Sequence, residues 1–418
     1  MVAVFVFAVR LPWLSTRAIP FNFDHGKDSL AILHLLVTGS LKFVGPWTSI
    51  PGLYFGPGWY YLLAPWYLIG NFDPIWGMVA MLVLQVCLFV LVKREFGWIA
   101  ALFVVTAPTW LTISGSAWNP FPMPLISFLI LISLERIRHH QRLELKGSQF
   151  GWWFLLGFAA ALGFHFSTAY ALFYPFIIVF TLWFKQIKIA FRQGLVGLLG
   201  FTIPFLPQLA FELKHDFIET KAVLNYLTVG GTIGTIKPSL VGIITQTLAE
   251  IQLAVLPNIW TSNSTLTTSI GWLATGIIFF AILYGRIKHQ TWGRWWFEVV
   301  VWLIIPTLLY TKLHYNLWYV LGMLPVAVLF VADKLSRLPR ILLVLYVGLL
   351  LLTPLSMILR FYQHDQQILL GSRQFLPVKE KAIEIVRMKA NDLPFAVYHY
   401  VPDIYDFTYQ YLFLSQAR

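Results

Sequence analysis

Apolar residues run along this chain in blocks of membrane-spanning length, separated by short polar or basic stretches. A helix that crosses a bilayer needs about 20 apolar residues at about 1.5 Å of rise each. The blocks predict roughly eleven spans, at 1–14, 75–92, 98–114, 122–137, 151–165, 169–184, 194–210, 269–285, 296–311, 316–332 and 340–358. The first ends in Arg10-Leu11-Pro12 with no small-residue cleavage site, so it reads as a spanning helix, clipped at its start, and not as a cleavable leader. The predicted fold class is an all-α polytopic membrane protein.

Lysine and arginine orient the spans, because loops rich in them stay on the cytoplasmic side. Basic clusters fall in every second loop: Lys93-Arg94, Arg136/Arg138/Arg142/Lys146, Lys185/Lys188/Arg192, Arg286/Lys288/Arg294 and Lys334/Arg337/Arg340. The intervening loops 115–121 and 165–168 carry no Lys or Arg, and 312–315 carries only Lys312. Parity then places residues 15–74 outside as a first external loop, 211–268 outside as a long loop with an amphipathic stretch at Val241 to Leu256, and 359–418 outside as a polar tail. Residues 1–358 thus form the transmembrane module. Within 15–74 the stretch Gly58 to Ile69 is apolar but only 12 residues long, about 18 Å as a helix and too short to cross. Its Trp59, Tyr60, Tyr61, Trp66 and Tyr67 suit the interface, so it reads as a juxtamembrane helix. The rival reading makes it a span and inverts everything downstream.

Composition narrows the function. Hydrophobic residues are 58% of the 418, charged residues 11%, and mean hydropathy is +0.71, against about 25% charge in a soluble protein. The net charge of +12 does not signal nucleic acid, because the basic residues sit where membrane topology puts them. The single cysteine, Cys87, forms no internal disulfide, and no zinc spacing or Gly-rich phosphate loop is present. Gly56-Pro57-Gly58 is a turn signal, and Asn263-Ser264-Thr265 matches a glycosylation sequon.

The polar residues outside the tail gather on the external face. Asp24 and Asp28 are four apart and share one face of a helix. Two such carboxylates serve as a general base or a metal site, or else Asp24 caps the helix with Asp28 in its first turn. Lys27 lies between them and is a candidate to bind the donor phosphate. Lys312 and His314 bind phosphate, or Lys312 snorkels and His314 makes an ordinary hydrogen bond. Asn119, in Trp118-Asn119-Pro120, is a cap or a site residue. His165 faces the bundle or the substrate. Glu212, with Lys214, His215 and Asp216, opens a solvated loop or contacts substrate. The aromatic stretch with Tyr60 and Tyr61 anchors the interface or lines a groove for an isoprenoid chain or a sugar.

The order of these features resembles the GT-C glycosyltransferases, in the protein-mannosyltransferase-like and aminoarabinose-transferase-like branch. The resemblance runs through most of the chain. A span ending near Arg10 is followed by Phe23-Asp24-His25-Gly26-Lys27-Asp28. Then come Phe55-Gly56-Pro57-Gly58-Trp59-Tyr60-Tyr61-Leu62, similar to a Pro-Pro-Leu-Tyr-Tyr element, the Lys93-Arg94-Glu95-Phe96-Gly97 turn, Trp118-Asn119-Pro120, and Lys312-Leu313-His314-Tyr315. The resemblance implies a GT-C bundle with external juxtamembrane helices, in the cell membrane, with its site on the extracytoplasmic face. It implies an inverting transfer of sugar from a polyprenyl-phosphate donor to a hydroxyl of a lipid, glycan or protein. Asp24 would be the base, its pKa raised by partial desolvation, and Lys312 with His314 would offset the leaving phosphate. His25 stands where the family has a second acid, and Asn119 where many relatives have an aspartate. These departures leave a divalent metal, Mg or Mn, unsettled as a cofactor. The alternative class is a lipid or sugar transporter or flippase. It is disfavoured because ionisable residues are few within the spans and no internal repeat is seen.

Overall fold

The computed structural model describes residues 1–143, 149–226, 228, 239–261, 264–289, 295–311, 313, 315–391, 393, 395–398 and 406–416. Among them the regular structure is helical, and β-type pairing is limited to the isolated bridges Pro20–Phe375 and Trp47–Tyr54. Helix α1 (Val2–Ser15) leads to a region holding α2 (Phe23–Thr38) and α3 (Gly58–Ile69). The bundle continues with α4 (Ile75–Phe96), α5 (Trp98–Thr106), α6 (Pro108–Ile113), α7 (Met123–Arg142), α8 (Phe150–Leu162), α9 (Thr168–Ala171), α10 (Tyr174–Phe184) and α11 (Phe191–Lys214). After α12 (Ile218–Asn225) and α13 (Leu240–Val255) come α14 (Ser264–His289), α15 (Trp296–Val299), α16 (Ile305–Leu309), α17 (Leu324–Leu335) and α18 (Arg340–Arg360). The tail forms α19 (Gln366–Gly371), α20 (Leu376–Ala390) and α21 (Phe407–Gln416).

Among the described residues four helical segments are long and apolar enough to cross a bilayer: Ile75–Phe96, Phe191–Lys214, Ser264–Ile287 and Arg340–Gly371. Leu198, Leu199 and Leu209 of α11, with Trp272 and Phe279 of α14, lie exposed. Apolar surface on this scale requires lipid around it, so the chain is a helical membrane protein. The other blocks form shorter, broken or more polar helices, and proline marks several of the breaks. Pro108, Pro175, Pro306 and Pro325 each sit in the first turn of a new helix, where a missing N–H costs nothing. Block 98–114 breaks into α5 and α6 at Ala107-Pro108. Block 296–311 is interrupted by a π-helical turn at Val300–Ile304, and 316–332 opens with a 3-10 turn at Leu317–Gly322.

Arg136 pairs with Glu95 at 2.6 Å, Lys185 pairs with Glu135 at 3.2 Å and with Glu298, and Gln141 bonds the Lys188 backbone. The basic turns after α4, α7 and α10 therefore share one end of the bundle. At the opposite end, Arg17 Nη1 lies 2.7 Å from Asp73 Oδ2. The chain leaves α1 and enters α4 at the same place, so α3 returns the chain to its starting side.

Two packing features position the rest. Helices α8 and α11 touch backbone to backbone: a Cβ on Gly157 would meet the Gly197 carbonyl oxygen at 1.9 Å, and one on Gly200 would meet that of Phe154 at 2.2 Å. Small residues allow this approach within lipid. The amphipathic stretch of the long loop forms α13, which packs one face on the bundle and leaves Val241, Leu248 and Leu253 exposed. Thr247 meets Tyr315 near the site end, while Ala254 and Val255 accept hydrogen bonds from Trp110 Nε1 and the Tyr346 hydroxyl within the bundle. The chain then climbs beside α18, the Asn258 and Trp260 amides reaching Thr353 and Ser356. From Tyr346 to Ser356 is about 15 Å along a helix, so α13 dips into the bundle and comes back to the same end.

Candidate active site

Helix α2 begins after Asn22, which holds the N-cap position with extended backbone. Asp24 falls in the first turn, where the helix dipole favours a carboxylate. Asp28 is one turn further in, so the capping arrangement considered above is displaced: neither aspartate is the N-cap. The two carboxylates, though on one face, meet different surroundings. Asp24 keeps 39% of its side chain exposed, and its Oδ1 accepts a bond from Lys27 Nζ at 3.1 Å. Asp28 is buried under α3, where Trp59 Nε1 donates to its Oδ2 at 2.9 Å and its Oδ1 has no partner. Burial pushes the Asp28 carboxyl up to about 7 against the pull of Lys27 and the Trp59 bond. The desolvated carboxyl is therefore Asp28 and not the expected Asp24.

Lys27 sits 5.6 Å from the ring centres of both Phe23 and Trp47. Phe407 of α21 packs against the same rings at 5.3 and 6.1 Å. The rim of the site is thus a carboxylate, an ammonium and three aromatic faces. Beneath it Ser29 Oγ and the Tyr67 hydroxyl share a 2.7 Å hydrogen bond. His25 is buried with Nδ1 2.7 Å from Asn22 Oδ1, and burial pulls its imidazole down to about 4. A neutral ring that donates to Asn22 cannot stand in for a second acid.

The other expected residues are brought to this end of the bundle, but mostly as internal supports. His165 is buried, and its Nδ1 accepts the Gly58 N–H at 2.9 Å. The Gly56-Pro57-Gly58 turn wraps that ring so closely that a Cβ on Gly56 would come within 2.5 Å of it. His165 therefore anchors the start of α3. Asn119 is buried and donates to the Phe166 carbonyl at 2.9 Å, joining two loops. Glu212 caps α12: it accepts the Glu219 and Thr220 amides at 2.7 and 2.9 Å and the Thr220 hydroxyl at 2.5 Å. Glu219 in turn accepts the Tyr54 N–H at 3.0 Å, and burial raises its carboxyl to about 7. Tyr60 is buried beside Asp28. Tyr61 is spent on the Lys42 backbone, both donating to its carbonyl and accepting from its amide at 3.0 Å. Lys312 and His314 lie outside the described residues.

Trp59 was read as an interfacial anchor, and its partnership with Asp28 went unseen. The available signal is that a buried indole N–H needs an acceptor. Among the described residues no three His, Cys, Asp or Glu side chains group as metal ligands. Asp28 Oδ2 is held by Trp59 and the Asn119 side-chain nitrogen by a carbonyl, which leaves Asp28 Oδ1 unpartnered.

The fold is shared with solved structures. It is similar over 98% of this chain and 84% of the other to the crystal structure of ArnT, an aminoarabinose transferase, from Cupriavidus metallidurans bound to undecaprenyl phosphate, with TM-score 0.66 and 12% identity. The apo structure of the same protein matches over 93% of this chain and 68% of the other, with TM-score 0.55 and 12% identity. No family model matches the chain, and no curated protein does.

Proposed function

We propose that this chain is an integral membrane glycosyltransferase that moves a sugar from a polyprenyl-phosphate donor to an acceptor hydroxyl at the extracytoplasmic face. The observation that carries the reading is the Asp24–Lys27 pair: of the two carboxylates on α2, Asp24 stays open to an arriving substrate and Asp28 is buried. The fold shared with a transferase crystallised with undecaprenyl phosphate supports the donor class.

Asp24 takes the proton of the acceptor hydroxyl, whose oxygen attacks the anomeric carbon. The bond from that carbon to the phosphate oxygen breaks, and polyprenyl phosphate leaves with inverted configuration at the sugar. Lys27 at the rim, with Lys312 and His314, offsets the charge that grows on the leaving phosphate. Trp47, partly exposed beside Lys27, presents a ring face to the sugar. The test is transfer from a panel of radiolabelled polyprenyl-phosphate sugars in membranes. Wild-type protein transfers one of them, and Asp24→Asn, folded and equally abundant, loses at least about a hundredfold in rate, the scale of general-base catalysis. Full transfer by Asp24→Asn moves the base elsewhere, and no transfer with any donor counts against the class.

A further inference from the structure

Among the described residues Arg10 is the one buried cation near the site end for which the fold supplies neither a hydrogen bond nor an ion pair. It lies in α1, five residues before the helix ends, and only 5% of it is exposed. It makes no hydrogen bond and no ion pair, and its Nε is sealed from solvent without a partner. Its contacts are the Trp13 ring, 5.2 Å from the guanidinium carbon, and the turn after α6. There the guanidinium lies against the bare Cα of Gly115: a Cβ would stand 3.4 Å from Nη2. The neighbouring Ser116 is buried too.

Arginine cannot shed its proton to relieve burial, and an unpaired charge held out of water is strongly destabilising. Such a group persists where an anion completes it. Its planar fork of donors matches the oxygens of a phosphate. Five residues of helix place it about 8 Å below the end of α1, the depth of a lipid headgroup region. From Gly115 the path to the site is short. Ala117 packs on Gly77, a Cβ on Gly77 would lie 3.3 Å from the Tyr67 hydroxyl, and Tyr67 bonds Ser29 beside Asp28.

We infer that Arg10 is an anion-binding residue, seating the phosphate of a lipid-linked substrate that enters from the bilayer between α1 and the Gly115 turn. The lipid source rests on the function proposed above, while the anion site rests on Arg10 itself.

The experiment is thermal unfolding of the purified full chain, followed by tryptophan fluorescence, with polyprenyl phosphate or inorganic phosphate added. Wild type, Arg10→Lys, Arg10→Met and Asp24→Asn are compared. Polyprenyl phosphate raises the melting temperature of wild type and of Asp24→Asn. Arg10→Lys keeps part of the rise, and Arg10→Met needs at least about tenfold more ligand for the same rise. Without ligand, Arg10→Met melts no lower than wild type, because an unpaired buried charge has been removed. A rise undiminished in Arg10→Met, or no rise in wild type with either anion, overturns the proposal. An Arg10-dependent rise with inorganic phosphate alone overturns the lipid source and leaves a free anion as the occupant. Because Asp24→Asn is read by binding, loss of transfer and loss of the anion site are told apart.

Discussion

Asp28 shows how one residue's surroundings decide its role. Its folded carboxyl holds a proton up to about pH 7, against an ordinary value of 3.8. Between those values the folded chain binds a proton that the unfolded chain has lost, so this contribution to stability is full below about pH 4 and disappears as pH rises through 7. His25 works in the opposite sense: held down to about 4 from 6.5, its contribution is present above pH 6.5 and lost as pH falls toward 4. The difference in melting temperature between wild type and Asp28→Asn isolates the carboxyl, since His25 is common to both. Asp28→Asn gains on wild type steadily from pH 4 to 7 and no further above 8. Parallel curves would mean that Asp28 is ionised in the fold. The spacing of Asp24 and Asp28 was legible as a shared helix face. Which of them stays open was not, because that depends on Trp59, 31 residues past Asp28, covering one carboxylate and not the other.

At the scale of elements, proline placed the helix starts, yet what heals each break is a long-range matter. Pro108 has no N–H to offer the carbonyl four residues back. That carbonyl, Val104, receives Gln85 Nε2 of α4 at 2.9 Å, and the same amide reaches the Trp110 carbonyl at 3.2 Å. Gln85→Leu leaves a buried carbonyl bare and lowers unfolding stability by about 1–3 kcal/mol, measured by chemical denaturation in detergent. In a Pro108→Ala background the backbone supplies its own donor, so the same substitution costs less. Equal costs in both backgrounds would show that Gln85 does not answer Pro108. The amphipathic period of 241–256 likewise predicted a helix where α13 forms, but not its depth. A helix that dips and returns leaves the count of crossings unchanged, so the distribution of lysine and arginine reads the same for α13 as for a helix on the surface.

Over the whole molecule, the polar tail is part of the site's own support. The Phe21 amide donates to the Gln374 carbonyl at 2.8 Å and the Leu376 amide to that of Ile19 at 3.0 Å. Arg17 grips Glu380 and Asp73 together, and Tyr411 bonds the Phe72 carbonyl. Helix α21 lies on α2 so closely that a Cβ on Gly26 would come within 2.5 Å of the Thr408 nitrogen. Gly26→Ala therefore lifts α21: limited proteolysis cleaves the tail faster while the bundle stays resistant, and sugar transfer falls with it. A tail as resistant as in wild type would sink this reading. No periodicity announces such docking, because it rests on single contacts between residues far apart in sequence. The four long apolar helices were readable, since each is a local run of apolar residues.

The placement of α21 on α2 also sets an order of events during synthesis. The loop with Asp24 leaves the ribosome long before its covering helix, since every helix from α3 to α20 is made between them. Until then Phe23, Trp47 and Gly26 stand bare beside the membrane. The rim is completed only when segment 407–416 arrives, so a chain stalled or truncated before it holds its spans without a finished site.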